Sequence, residues 1–203
     1  MKRTLVLVSV AALVAMVGCK KAAQLDNKYL VGHIFQATMS GYSATHPARS
    51  SSATTPDTSE PKPSYTQHAY TDYTLYGPAG GSTHVLGDLT VTVNVDQQGN
   101  YLGGSASFQY TQTWNDFAFE DSTGQKWTLN GAPYISTVGL FTLQPNGTFG
   151  TASSIDISGA VRATGPNGYD HTADFLVTIN IDSDGSGGDV SGTVDGRSLY
   201  YTF

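Results

Sequence analysis

The chain has 203 residues with 10 basic and 16 acidic side chains, a net charge of −6, and one cysteine. So few cations on an acidic chain exclude a phosphate-tracking nucleic-acid surface. A single cysteine excludes a scaffold stapled by internal disulfides. The length suits one domain with a core of its own, and 23 glycines and 12 tyrosines, with glutamate only at Glu60 and Glu120, point to strands and turns rather than helices.

The chain opens with Lys2 and Arg3, followed by an apolar run from Leu5 to Val17. That run is shorter than the roughly 20 residues a spanning helix needs and has the shape of a secretory signal. It ends in Met16-Val17-Gly18-Cys19. This ending resembles the lipobox of bacterial lipoproteins, with Met16 where Leu is usual. The resemblance covers residues 1–19 and implies cleavage between Gly18 and Cys19. It also implies attachment of diacylglycerol to the Cys19 thiol, acylation of the new N-terminus by a palmitate-type chain, and residence at the membrane through that N-terminal lipid. Two or more acyl chains make a firm anchor where one is marginal. No Asp follows Cys19, which in enteric-type sorting resembles an outer-membrane lipoprotein of the cell envelope. Loss of Lys2 and Arg3 with residues 1–18 takes the net charge from −6 to −8. Lys20 and Lys21 stand next to the anchor, where anionic headgroups attract them, and residues 19–28 read as a lipidated tether.

Residues 29–43, YLVGHIFQATMSGYS, carry enough apolar mass to be ordered and are expected as a first strand. Residues 44–64 hold Pro47, Pro56, Pro61 and Pro63 among Ser and Thr. Such a stretch buries too little surface to offset its ordering entropy and reads as a disordered loop or linker.

From Tyr65 to Phe203 the pattern is that of an all-β domain. Leu89, Val91, Val93 and Val95 alternate with polar residues, as do Phe175, Val177, Ile179 and Ile181. Period two gives each strand one buried and one wet face. Further strands are expected at 65–76, 105–114, 117–120, 126–131, 136–144 and 155–164, and in the closing pair DVSGTV and RSLYYTF. Gly-containing turns separate them, and Asp195-Gly196 predicts a two-residue hairpin that places Leu199, Tyr201 and Phe203 on one face. The expected fold is an antiparallel meander of about eight strands, closing as a barrel or packing as a sandwich. The ending SLYYTF also resembles the last strand of outer-membrane barrels, although Arg197 interrupts that pattern.

Candidate sites are sparse. Asn180, Asp182, Asp184 and Asp189 in NIDSDGSGGD offer oxygen ligands for calcium, with Asp182 and Asp184 the central pair. An EF-hand-type loop needs a bidentate Glu at its twelfth position, where this sequence has Ser191 or Thr193 depending on the starting residue, so no metal site is assigned. The histidines at 33, 46, 68, 84 and 171 have no metal-ligand spacing. Asp116 and Glu120 form the one notable acid cluster and read as solvated residues at a strand start. With no nucleophile motif, no catalytic residue or cofactor is assigned and enzyme activity is not expected. Tyr65, Tyr70, Tyr73 and Tyr76 crowd one segment and suggest a surface for flat ligands, but Tyr70 and Tyr73 fall on opposite strand faces. The expected function is a non-catalytic interaction or structural module presenting a β surface to an envelope protein or a glycan. The alternative is a carrier holding a small apolar ligand inside a barrel.

Overall fold

A computed structural model describes residues 25–45, 64–146, 150, 153–183 and 187–203. Nine strands form a single antiparallel sheet: β1 (Ser64–Tyr76), β2 (Ser82–Val95), β3 (Tyr101–Asn115), β4 (Phe117–Glu120), β5 (Lys126–Leu143), β6 (Ser154–Gly165), β7 (Tyr169–Ile181), β8 (Gly188–Val194) and β9 (Arg197–Thr202). The order is β1-β2-β3-β5-β6-β7-β8-β9, with the short β4 paired to the start of β5. The expected all-β meander is therefore present. Its edges β1 and β9 do not pair with each other, so the sheet does not close as a barrel.

The first ordered element departs from expectation. Residues 29–43 are not a strand but lie within a helix, α1 (Asn27–Thr45). Of residues 19–28, read from the sequence as a tether, Leu25 is buried and Asn27 and Lys28 belong to α1; residues 19–24 lie outside the described residues. The helix starts where Asp26 Oδ1 accepts the Lys28 N–H at 3.0 Å, satisfying one of the orphan donors of the first turn. Its buried residues are Leu30, Val31, Ile34, Ala37, Thr38 and Gly41. These fall at i, i+1, i+4, i+7, i+8 and i+11, the spacing of a helical face. Tyr29, Phe35, Met39 and Tyr42 pack partly against the core on either side of that face. Burial is thus nearly all round, which blurs the periodicity in sequence. Among its residues up to Tyr42, whose burial is described, Lys28, Gly32 and Gln36, spaced i, i+4, i+8, form the exposed stripe.

The helix covers the concave face of the sheet. It packs closest to β1 and β2. His33 packs at a tilt against Phe119 of β4, 4.0 Å between ring centroids, and Phe35 meets Phe203 beyond β9 at 6.2 Å. Beneath it lie the inward residues of the strands, among them Leu89, Phe108, Phe141, Ile157, Val161 and Val177. Phe108 stacks on Tyr110 at 4.6 Å, and Tyr42 of the helix meets Phe141 edge-on at 5.2 Å. Gln112 is the polar fastening of helix to sheet. Its Nε2 donates to Thr38 Oγ1 at 2.7 Å and to the Ile34 carbonyl at 3.3 Å.

The sequences 126–131 and 136–144, expected as two strands, run together as β5. An irregularity between Gly131 and Ile135 places two extra residues opposite β6, and an even insertion keeps the same alternation of faces on both sides. The 44–64 linker lies mostly outside the described residues; its first two residues end α1 and its last begins β1.

Candidate functional site

The sheet presents two surfaces of different chemistry. The convex face is built from register rows that cross every long strand. One row runs Tyr70, Asp88, Gln109, Val138, Asp156, Thr178, Ser191, Tyr200 from edge to edge. Tyr70 and Tyr200 at its ends are 63% and 71% exposed. The neighbouring row runs His68, Thr90, Ser107, Leu140, Ser154, Asn180, Asp189, Thr202. Between the two rows lies a surface hollow of about 430 Å³ lined by Asp88, Thr90, Ser107, Gln109, Ser154 and Asp156, with Val138 and Leu140 beside them. Within these rows the side chains hold one another. His68 Nδ1 lies 2.9 Å from Thr90 Oγ1, Thr178 Oγ1 donates to Asp156 Oδ1 at 2.7 Å, and Asn180 Nδ2 donates to Asp189 Oδ2 at 3.1 Å. Such cross-strand pairs fix the surface before any ligand arrives.

The second surface is at the rim of the concave face, where α1 leaves a gap against β7–β9. A cleft of about 280 Å³ lies there, walled by Val31 and Phe35 of the helix, Ile179 and Val190 of the sheet, and Tyr201 and Phe203 at the chain end. Gly32 forms part of the rim, with nothing within 4 Å of the position its Cβ would occupy. The predicted co-facing of Leu199, Tyr201 and Phe203 is present. Leu199 and Tyr201 pack on the core, and Phe203 meets the helix. Burial, and then the nearby Asp26 carboxylate, pushes the Tyr201 hydroxyl above its ordinary pKa.

The turn between β4 and β5 is held by one carboxylate. Asp121 Oδ1 accepts the Thr123 and Gln125 N–H groups at 2.8 and 3.0 Å and the Thr123 hydroxyl at 2.6 Å. Its Oδ2 accepts Trp127 Nε1 at 2.8 Å. These bonds, led by the Thr123 hydroxyl and the indole, hold the carboxyl down at about 2. Ser122 in the same turn donates its N–H to Tyr29 Oη at 3.2 Å, tying the turn to α1. The site is structural, since every one of these bonds is internal to the fold.

The residues singled out in sequence are dispersed. Cys19 and Gly18 of the signal motif, His46 and Asp184 lie outside the described residues. Asp182 is exposed and its N–H closes the β7–β8 turn onto the Gly187 carbonyl at 3.0 Å. Asn180 and Asp189 are held by each other. Among the described residues no three His, Cys, Asp or Glu side chains gather as metal ligands. His84 pairs with Asp72 at 2.7 Å and His171 with Asp195 at 2.6 Å, each on the surface. Asp116 sits in a left-handed turn, its N–H held by Asn130 Oδ1 at 2.9 Å, and Glu120 is exposed. Trp114 and Trp127 are core residues, and of the tyrosine group Tyr65, Tyr70 and Tyr76 are exposed while Tyr73 is half-buried.

Sequence reasoning placed Tyr201 and Phe203 of one cleft wall on a common face and missed the rest of both surfaces. The convex rows needed the strand register, which the period-two pattern does not contain. The cleft needed the helix. Comparison with known proteins finds no matching family model, no similar curated protein and no similar solved structure.

Proposed function

We propose that this chain is a bacterial envelope lipoprotein, anchored by acylated Cys19, whose domain is a non-catalytic interaction module binding through the convex face of its sheet. The observation that carries this reading is the edge-to-edge register row from Tyr70 to Tyr200, with the hollow over β2–β6 between it and its neighbour. Hydroxyls, an amide and two carboxylates line that hollow together with the apolar Phe108, Val138 and Leu140. This mixture suits an envelope glycan, whose sugar rings present hydroxyls at fixed spacing and apolar C–H faces between them. The motif Met16-Val17-Gly18-Cys19 supports the anchor. A carrier enclosing its ligand within a barrel is less well supported, because α1 occupies the concave face where that ligand would sit.

Two measurements test this. Metabolic labelling with a palmitate analogue should mark the chain, and Cys19→Ser should abolish the mark; an unlabelled wild-type chain overturns the anchor. For the surface, a photo-crosslinking residue at Val138 should give a discrete adduct in intact bacteria, whereas one at exposed Gln125, in the turn away from the hollow, should not. An adduct removed by glycan-cleaving enzymes supports the glycan. One removed only by protease moves the partner to a protein. No adduct at Val138 overturns the convex face as the binding surface.

A further inference from the structure

The cleft between α1 and β7–β9 is independent of the convex face and has its own chemistry. Its walls, Val31, Phe35, Ile179, Val190 and Phe203 with the ring of Tyr201, are almost wholly apolar. It is a slot between two elements rather than a flat patch, and at about 280 Å³ it is close to the lower end, about 300 Å³, of small-ligand sites. Its mouth is polar and carries a cation, Lys28, beside the carboxylate of Asp26. Lys28 Nζ stands 5.1 Å from the centroid of the Tyr201 ring, and Lys28 and Gly32 also line the adjoining hollow with Gln36 and Asp26. Asp26 is already engaged by the helix N-terminus through the Lys28 N–H. Lys28 is exposed and forms none of the ion pairs found among the described residues. An apolar slot with a cation at its rim matches a molecule with an apolar tail and an anionic head.

We infer that this cleft binds a free long-chain fatty acid. The first part of the acyl chain lies between Phe35 and the β7–β9 wall, and the carboxylate meets Lys28. Gly32 leaves the entrance open, since a side chain there projects into free space at the rim. Apolar surface on both walls leaves water as the chain enters, and the headgroup stays at the exposed stripe of α1. The pairing is ionic and solvent-accessible, so the tail contributes most of the affinity and Lys28 mainly orients it.

The test uses the full chain reconstituted in lipid nanodiscs with palmitic acid bearing a photoreactive diazirine on its chain. After irradiation, label should appear on the peptides containing Val31–Phe35 and Tyr201–Phe203, and excess unlabelled palmitic acid should remove it. Gly32→Trp should cut labelling at least tenfold while the circular dichroism of the sheet is retained. Lys28→Glu should lower it several-fold. Label spread over the sheet without competition, or unchanged labelling in Gly32→Trp, overturns the inference. A Cys19→Ser chain, which has no acyl group of its own, separates the remaining occupant. Labelling equal to wild type supports a free fatty acid. Labelling seen only in Cys19→Ser means that the chain's own anchor fills the slot, and the inference fails while the anchor stands.

Discussion

The two elements that face each other across the apolar cleft are ordered by different means. The β8–β9 hairpin is specified locally. Val194 pairs with Arg197, and Asp195 and Gly196 between them adopt φ of 53° and 68°, the two left-handed residues of the tightest hairpin turn. Asp195 strengthens it, accepting the Asp174 N–H at 2.9 Å through Oδ1 and meeting His171 Nε2 at 2.6 Å through Oδ2. The helix α1 has no comparable local code beyond the Asp26 cap at its start. It contains Gly32 and Gly41 and the β-branched Val31, Ile34 and Thr38, all weaker helix formers than Ala or Leu. What holds it helical is its seat on the sheet: the buried face from Leu30 to Gly41 and the Gln112 side chain that reaches Thr38 and Ile34. An element written locally survives small losses of packing, whereas one written by its surroundings depends on them.

The sharpest way to break the contrast is to thin the seat. Ile34 is fully buried at the centre of the helix face. Ile34→Ala should cost about 2–5 kcal/mol, the range for truncating a large aliphatic core residue, read as a lower urea midpoint. Helical signal should be lost at lower urea than the β signal, because the sheet has its own ladder of backbone bonds and the helix does not fold without its seat. If both signals fall together at the wild-type midpoint, the helix is not held as argued. The local element should respond less. Gly196→Ala keeps the hairpin but forces a Cβ into a left-handed conformation, at about 1–2 kcal/mol. The helix should be undisturbed by it, and a loss equal to that of Ile34→Ala would show that the hairpin too is held from outside.

The same contrast explains what was legible in the sequence. The strands from Tyr65 onward, their alternation and the Asp195-Gly196 turn are short-range facts, and the sheet follows them closely. The helix was not legible. Its buried residues do have a helical spacing, but Tyr29, Phe35, Met39 and Tyr42 fill the remaining directions and, up to Tyr42, leave Lys28, Gly32 and Gln36 as a narrow exposed stripe. A segment buried on nearly every side loses the periodicity by which helices are recognised. Open edges had a subtler cause. Strand signals predict a meander, but whether its ends meet depends on what lies inside, and here a helix occupies that place. The convex surface was unreadable for a third reason. Tyr70 and Tyr200 are 130 residues apart in sequence and share a row only through seven successive strand pairings.

The smallest expected effect is one of pH, and it probes the seat through a single side chain. His33 projects from α1 against Phe117 and Phe119, and burial among these rings lowers its pKa from the ordinary 6.5, against a smaller opposing pull from the Gln36 side chain. The neutral ring is therefore the form the fold accepts. Above 6.5 the ring is neutral in both states and its contribution to stability is fully present. As pH falls from there toward the lower folded value, the unfolded chain takes up a proton that the folded one resists, and stability declines. Asp121 has the same sign in a different window. Its carboxyl sits at about 2 when folded, so its contribution is present above the usual carboxylate range near 4 and disappears as pH falls to about 2. Denaturation midpoints should therefore fall in two steps, a shallow one just below pH 6.5 and a later one below pH 4. His33→Phe should flatten the first without touching the second, and Asp121→Asn should leave the first and shrink the second, whose remainder belongs to the hydrogen-bonded carboxylates of Asp96 and Asp170, also held below their ordinary pKa. A first step that survives His33→Phe would show that the buried ring is not its source, and the helix seat would then have no part in it.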